Sequence, residues 1–341
     1  MTFVTDSTIE PSEMIEPVAT AARPRAKFRK RGVVTKWLAI IWLALLTFTA
    51  IGANWVPWVN HDCSQFGDKA ATECSTHLIG SPFLLEKPPA WATFADAKGI
   101  TIPGAPERTG WFGTDSNGRD IFARSMFGAR VSLTIGASSI IFGLIIGGGL
   151  GLLAGYKGGR IDRFIEALMN IILAFPALLL VVFIVGFFGS SGADQATNRS
   201  IQPIILALVV LSIPPLQKLV RANTIVYAQR EFVTAARSIG ASSSRIVLRE
   251  ILPNVVPAML TFALVGVAIV IVAEGALAYL GLSVNAPSPT WGNLILDGQS
   301  KLENSWWISL MPAATMFVTI LSINLLGDVL AEKFRIREAI G

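Results

Sequence analysis

The chain has 341 residues, of which 52% are hydrophobic and only 15% charged, and its formal net charge is +5. Soluble domains carry about 25% charged residues, so this composition excludes a protein that covers itself with a polar, water-exposed surface. The excess of positive charge does not indicate nucleic-acid binding, because the basic residues lie beside long apolar runs, where lipid headgroups attract them. The sequence therefore predicts a multi-pass membrane protein that contacts lipid and no nucleic acid.

Six stretches without charged residues have the length of roughly 17–25 residues that a helix needs to cross a bilayer. Hydrocarbon offers the backbone no hydrogen-bond partners, so each stretch should be helical. The predicted spans are 37–56, 131–156, 167–192, 200–217, 251–273 and 304–327. The sequence therefore predicts an all-α fold with six transmembrane helices.

Lysine and arginine residues indicate which side of the membrane each connection faces. Four segments hold 19 of the 28 basic residues, and an excess of this kind is typical of cytoplasmic loops. These segments are 1–36, 157–166, 218–250 and 328–341. We therefore expect both chain ends in the cytoplasm and a long extracytoplasmic loop, 57–125, before a membrane core, 126–341, that includes helices two to six and the cytoplasmic loop 218–250.

The N-terminal region combines an acidic start, a basic run and the first apolar stretch. A cleavable signal peptide is an alternative interpretation of residues 1–56, since it too places basic residues before an apolar run. Here the apolar run is too long and the tail before it too extended. Residues 1–35 are therefore predicted to be a cytoplasmic tail, and 36–56 a retained transmembrane helix.

Both cysteines, Cys63 and Cys74, and both histidines, His61 and His77, lie in the long loop. A zinc site is one interpretation of these four residues. The ten residues between the cysteines do not match the close pairing of structural zinc sites, and disulfides persist in extracytoplasmic compartments. We expect a disulfide between Cys63 and Cys74, which leaves no Cys or His for a metal centre or nucleophile elsewhere.

Three glycines in the second predicted span, Gly147, Gly151 and Gly155, recur every four residues. This spacing places them on one helix face, where another membrane helix can approach closely. A nucleotide-binding glycine loop is the alternative, but no strand precedes this segment and it lies in the membrane. The pattern favours helix packing.

The cytoplasmic loop 218–250 is predicted to contain a helix over 221–239. Gly240 can end this helix because it adopts positive φ without penalty, and Ser242 or Ser243 can cap a second short helix. The result is a helix–glycine–helix elbow. An amphipathic segment lying on lipid headgroups is the alternative, and composition alone leaves both interpretations open.

Glu274 directly follows the fifth apolar stretch and lies within the membrane if that helix continues to Leu280. A carboxylate at membrane depth is costly and usually faces a bundle interior or a water-filled cavity. One interpretation is a residue that lines or gates a pathway through the bundle. The other is a structural, hydrogen-bonded acid near the outer interface, paired with a base such as Arg130.

The stretch from Glu231 to Gly240, with Ala235 and Ala236 between them and Leu252-Pro253 after it, resembles the "EAA" loop of ABC importer permeases. Glu250 departs from the family pattern, which usually has Ile at this position. In that family the loop forms a coupling helix that docks in a groove of the ATPase subunit. The resemblance therefore implies a coupling role for a set of residues in this loop. They are Glu231, Ala235, Ala236, Arg237 and Gly240.

Further stretches resemble the C-type subunit of the dipeptide/oligopeptide/nickel permease family, in the same order along the chain. They are 113–120, 127–133, 155–163, 173–178, 279–282, 289–293 and 324–328. The resemblance implies a type I importer permease fold and half of a translocation pathway for peptides, with nickel or another small solute as the alternative. Residues 57–110 depart from the pattern and carry an insertion.

The resemblance also implies a set of partners: a second homologous permease, two ATPase subunits or domains, and an extracytoplasmic solute-binding protein. No Gly-Lys pair exists in the chain, so the phosphate-binding P-loop is absent. We therefore expect a non-enzymatic subunit of the cytoplasmic membrane without a cofactor of its own, whose partners bind ATP and Mg²⁺.

Two other classes of protein fit the sequence less well. A secondary transporter would be expected to show an inverted repeat with interrupted helices, and no convincing duplication is found in the sequence. A membrane-embedded hydrolase would need a nucleophile and a base in the bundle. Without His or Cys in the predicted spans, only carboxylates such as Glu274 or Asp328 are left for that role.

Overall fold

The computed structural model describes residues 32–52, 85–86, 89, 111–189, 201–284 and 288–338. Within these ranges the fold is helical, with one isolated bridge between Thr114 and Asp120. The elements are α1 (Gly32–Ile51), α2 (Ile121–Lys157), α3 (Gly159–Ala174), α4 (Ala177–Gly189), α5 (Ile201–Ala228), α6 (Glu231–Ser238), α7 (Ser243–Arg245), a π-helical turn (Ile246–Ile251), α8 (Leu252–Tyr279), α9 (Trp291–Gln299) and α10 (Trp307–Glu338). The predicted all-α class is confirmed.

Four helical rods are long and apolar enough to cross a membrane. They are Ile121–Lys157, Ile201–Ala228, Ser243–Tyr279 and Trp307–Phe334, and they correspond to predicted spans two, four, five and six. The pair α3 and α4 becomes a fifth if the two helices form one span, and α1 contributes a shorter apolar stretch, Thr35–Ile51. The described residues thus contain four or five helices of membrane-crossing length.

The third predicted span is not a continuous helix. Two helices occupy this region, Gly159–Ala174 and Ala177–Phe188, and the chain bends by 88° between them. Phe175 between them is extended, with φ of −79° and ψ of 137°, because the ring of Pro176 disfavours helical geometry in the preceding residue. The expectation of one helix over 167–192 is therefore wrong.

Helices α2 and α5 make the most extensive helix–helix contact among the described residues. The glycine stripe of α2, which we define as Gly147, Gly151 and Gly155, faces α5 directly. A Cβ atom added at Gly151 would lie 2.6 Å from the carbonyl oxygen of Gln217. The predicted close packing is confirmed, since only a bare helix face permits this approach.

The helix predicted over 221–239 is divided between two elements. Helix α5 passes through Pro214 and Pro215 and continues to Ala228, and α6 starts three residues later. The polar connection after the fourth span is therefore partly an extension of a membrane-length helix, which leaves α6 as a separate element of eight residues.

Candidate functional site

The elbow loop, which we define as residues 229–251, begins where α5 ends. Arg230 leaves the helical conformation, with φ of −74° and ψ of 151°. Its carbonyl oxygen then accepts hydrogen bonds from the N–H groups of Val233 and Thr234, at 3.0 and 3.3 Å. Glu231 lies in the first turn of α6, where the helix dipole favours a negative charge. The break therefore starts a new helix with its own N-terminus.

Gly240 ends α6 as the sequence predicts. Its φ is +77°, a conformation that glycine adopts without steric cost. The Gly240 N–H donates to the carbonyl of Arg237 at 3.0 Å, and the Ala241 N–H donates to that of Ala236 at 3.1 Å. These two bonds form the Schellman arrangement of a helix C-terminus. The predicted elbow is confirmed.

The second limb of the elbow loop runs without a break into the membrane-length helix α8. The Ser242 hydroxyl oxygen caps this limb by accepting the N–H of Arg245 at 3.4 Å. A π-helical turn follows, in which the Leu252 N–H donates to the carbonyl of Val247. Such turns are rare in proteins, and those that occur are often found at functional sites. The elbow loop is therefore one end of a rod that reaches the opposite end of the bundle.

The inner side of α6 is fixed to the membrane helices. Val233 is fully buried, and it belongs to an apolar cluster that includes Leu152 of α2, Val220 of α5 and Val255 of α8. The guanidinium carbon of Arg237 lies 5.3 Å from the centre of the Tyr156 ring, near the end of α2. This geometry is that of a cation–π contact. The loop therefore has a defined position relative to three helices.

The outer side of α6 is exposed and carries apolar as well as charged groups. Glu231 and Ala235 are exposed, whereas Ala236 is half-buried and packs against the apolar cluster. Phe232 is 39% exposed and Ile239 82% exposed. These exposed apolar side chains on the short helix are available for contact with a partner protein or with lipid.

The exposure of Phe232 and Ile239 was not predicted from the sequence. In a helix, Ala236 lies three residues from Val233 and shares its inner face, whereas Phe232 and Ile239 lie about 100° and 240° from Val233 around the helix axis. This spacing is present in the sequence, but it does not tell which face packs against α2, α5 and α8.

The predicted coupling residues are brought together on one short element with different surroundings. Glu231 and Ala235 face outward, Ala236 and Arg237 contact the base of the loop, and Gly240 forms the turn. The short helix thus has one side packed against the membrane helices and one side exposed. The exposed side can bind another protein surface. These residues include no nucleophile–base pair.

Glu274 lies within α8 and is only 1% exposed. Its carboxylate accepts a hydrogen bond from the Ser283 hydroxyl at 2.6 Å and another from the Ser132 hydroxyl at 3.3 Å. The Ser132 oxygen also accepts the N–H of Trp291 at 3.3 Å. Glu274 therefore joins α8, α2 and the segment that leads into α9.

Arg130, which we considered as the partner of Glu274, is exposed. The contacts of the carboxylate are with hydroxyl groups instead, and these satisfy a buried acid without a base. The role of Glu274 as a pathway or gating residue stays a prediction. Cys63 and Cys74 lie outside the described residues, so their disulfide also stays a prediction.

Comparison with protein families gives a match over residues 147–336 to "Binding-protein-dependent transport system inner membrane component". Among curated proteins, the glutathione transport system permease protein GsiD of Pectobacterium atrosepticum is 37% identical over 227 residues, 67% of this chain and 72% of that protein. The di/tripeptide transport system permease protein DppC of Pseudomonas aeruginosa is 34% identical over 294 residues, 86% of this chain and 85% of that protein.

Similarity to solved structures concerns the fold alone. A chain of the MetNI methionine ABC transporter in an inward-facing conformation superposes with a TM-score of 0.52 at 18% sequence identity. The match covers 63% of this chain and 96% of that chain. The helical core described above therefore has the fold of an ABC importer permease.

Proposed function

The chain belongs to the family of binding-protein-dependent transport system inner membrane components, and on this premise we propose that it forms half of a translocation pathway for di- and oligopeptides. It is a multi-pass permease subunit of an ABC importer and not itself an enzyme. Peptide-like solutes are supported by the relatives, whose names specify glutathione, dipeptides and di/tripeptides.

The proposed topology has six spans with both chain ends in the cytoplasm. Four rods already have membrane-crossing length, the bent pair α3 and α4 supplies a fifth span, and α1 supplies the first. The basic residues support the orientation, because segments on the side of the elbow loop hold most of them. The elbow loop then faces the compartment in which ATP is present.

The observation that carries a coupling role is the contrast between the two sides of α6. Val233 is fully buried in the apolar cluster at the base, while Ile239 at the other side is 82% exposed. A fixed helix with an exposed apolar tip can transmit force from a partner to α2, α5 and α8. We propose that an ATPase subunit binds this outer side, with Ala235 allowing close approach.

The proposed assembly contains this chain, a second homologous permease, two ATPase subunits and an extracytoplasmic solute-binding protein. ATP and Mg²⁺ are bound by the ATPase subunits, and this chain holds no cofactor. The family description and the MetNI fold similarity support the general composition. The numbers of each subunit are part of the proposal.

The test changes the outer side of α6 without touching its base. Ala235→Arg adds bulk and charge to the exposed surface, and Ile239→Asp replaces its apolar tip with a carboxylate. We expect both variants to insert and fold in normal amounts, because neither side chain is buried. ATPase subunits that copurify, and ATP-dependent peptide uptake, should fall by about fivefold or more, since a well-packed apolar contact residue contributes about 1–2 kcal/mol or more to an interface.

Ser244→Arg is the matched control, because it adds the same side chain to an exposed position on the second limb of the elbow loop. It should retain uptake and ATPase subunits. Normal uptake by the Ala235 and Ile239 variants, with ATPase retention equal to wild type, would show that α6 only rests on lipid headgroups.

We also propose that Glu274 gates the end of the bundle opposite the elbow loop. Its contacts with Ser283 and Ser132 hold the segment after α8 against α2. Glu274→Gln keeps the side-chain shape but weakens these charge-assisted contacts, so we expect normal folded amounts and reduced uptake. A Gln variant that transports like wild type, beside a Leu variant that fails to fold, would assign Glu274 a purely structural role.

A further inference from the structure

Helix α3 is interrupted at both of its ends. At the N-terminal end, Gly158 and Gly159 both have positive φ, +62° and +60°, and an added Cβ atom would meet nothing within 4 Å at either position. At the C-terminal end, Phe175 is extended and the chain bends by 88° before α4. Hinges in proteins are usually a few residues of this kind at the ends of helices or strands.

Few apolar contacts hold α3 against its neighbours. Its buried residues are Ile165 and Met169, which belong to a small cluster with Ala154 of α2 and Ile213 of α5. The contact of α3 with α5 is much smaller than the contact of α2 with α5. Apolar packing therefore fixes α3 at few points, while α2 and α5 form a rigid pair beside it.

Polar side chains make the remaining connection between α3 and α5. Arg221 Nε and Nη2 donate to the two carboxylate oxygens of Asp162 at 2.5 and 2.7 Å. Lys218 Nζ donates to Asn170 Oδ1 at 2.8 Å and lies 3.6 Å from Glu166 Oε2. The three residues of α3 are four positions apart, so they follow one side of the helix. We call these five residues the polar ladder.

The charged groups of the polar ladder remain partly exposed. Their side chains keep between 17% and 42% of their surface accessible. Water can therefore solvate the charges when they separate, and ion pairs of this kind cost little net free energy to break. The polar ladder differs in this respect from the glycine stripe, where two helix backbones are in direct contact. It is suited to a contact that opens and closes again.

The polar ladder and the glycine hinge both adjoin the elbow loop. Arg221 lies seven residues before Ala228, where α5 ends, which corresponds to about 10 Å along the helix. Tyr156, whose ring contacts Arg237 of α6, lies two residues before Gly158. Helix α6 is therefore connected to the polar ladder through α5 and to the hinge through the end of α2.

We propose that α3 is a hinged helix that separates from α5 and returns during transport, with the polar ladder as its latch. The inference rests on the proposed function, because movement of α6 on an ATPase subunit supplies the displacement that opens the latch. Asp162 and Arg221 are then positioning residues, since they determine when α3 moves.

The first test holds the polar ladder closed. Asn170→Cys with Lys218→Cys replaces its outermost contact, and a reducible bis-methanethiosulfonate reagent then joins the two thiols in the complete transporter in proteoliposomes. We expect ATP-dependent uptake to fall in proportion to the crosslinked fraction and to recover on reduction. ATPase subunits should be retained throughout, because the outer side of α6 is unchanged.

The matched control is Lys36→Cys with Glu332→Cys. These changes replace an ion pair between α1 and α10, and this chain carries the same two native cysteines. Crosslinking of this pair should leave uptake unchanged, since neither helix belongs to the proposed hinge.

The second test releases the polar ladder. Arg221→Gln removes the paired bonds to Asp162, so the backbone amides of residues 160–174 should exchange hydrogen faster than in wild type, with no change over residues 201–216. In the wild-type transporter, faster exchange over 160–174 should appear only when ATP and solute are supplied. A purely structural ion pair predicts no such dependence on ATP. Lys36→Gln is the control and should leave exchange in α3 unchanged.

The proposal is overturned if the crosslink between positions 170 and 218 leaves uptake unchanged, or if both crosslinks lower uptake equally. It is also overturned if ATP and solute do not change hydrogen exchange in α3 of the wild type. The crosslink decides the question even if Arg221→Gln does not fold. Failure of the proposed function looks different, because wild type would then retain no ATPase subunit and show no ATP-dependent uptake before any crosslinking.

Discussion

The glycine stripe of α2 and Gly240 of the elbow loop use the same residue type for different reasons. A Cβ atom at Gly147, Gly151 or Gly155 would lie 2.6–2.7 Å from its nearest atom in α5. At Gly240 no atom lies within 4 Å of the added Cβ, but φ is +77°. In the stripe, glycine is required because α5 leaves no room for a side chain. At Gly240, glycine is required because the backbone has a positive φ. The stripe therefore determines how the helices pack, and Gly240 determines the direction of the chain after α6.

The strongest test of this difference is Gly151→Leu. The new side chain would collide with the backbone of α5, which cannot rotate away as a side chain can. Overpacking typically lowers the free energy of unfolding by about 1–3 kcal/mol. We expect a loss of stability at the upper end of this range or above it, so little folded permease should be recovered. The measurement is the monodisperse fraction of the protein after extraction from membranes.

Gly149→Leu is the control for that experiment, because an added Cβ there meets nothing within 4 Å. This variant should extract and migrate like wild type. Equal yields from both variants would mean that α2 and α5 are not in close contact in the membrane.

A substitution series at Gly240 should separate the effect of its positive φ on ATPase binding from any effect on the amount of folded protein. Asn tolerates positive φ, Ala does so at a cost of about 1–2 kcal/mol, and Val resists it more strongly because it is β-branched. We expect normal folded amounts throughout, with ATPase retention and uptake falling in the order Gly, Asn, Ala, Val. Since space around Gly240 is open, an order that follows side-chain volume would contradict this explanation.

The smallest expected effect concerns the contact between Arg237 and Tyr156. A double-mutant cycle with Arg237→Gln and Tyr156→Leu should give a coupling energy of about 0.5–1 kcal/mol. Tyr156→Phe retains an aromatic face and should retain most of that energy. The readout is ATPase-subunit affinity for the permease in detergent. Additive effects of the two single changes would show that Arg237 does not hold α6 in place.

Local patterns predicted the features that depend on neighbours in the chain. Four-residue spacing identified the glycine stripe, and the rule for helix C-termini identified Gly240. The break before Glu231 was not predictable in this way, since no Pro or Gly marks it. The partners of Glu274 were missed for another reason. Ser132 and Ser283 carry no distinctive sequence signal, because the packing of α2 against α8 places Ser132 beside the carboxylate and the turn after α8 places Ser283 there.

The continuous rod Ser243–Tyr279 has a mechanical consequence. At 1.5 Å per residue, its 37 residues span about 55 Å, from the elbow loop to Tyr279, beyond Glu274. We therefore propose that the rod can act as a lever, since a tilt of about 5° at the elbow would displace the far end by about 5 Å. A small movement of α6 on an ATPase surface could thus reposition Glu274 and Ala278, with no chain of intermediate contacts needed to carry the signal.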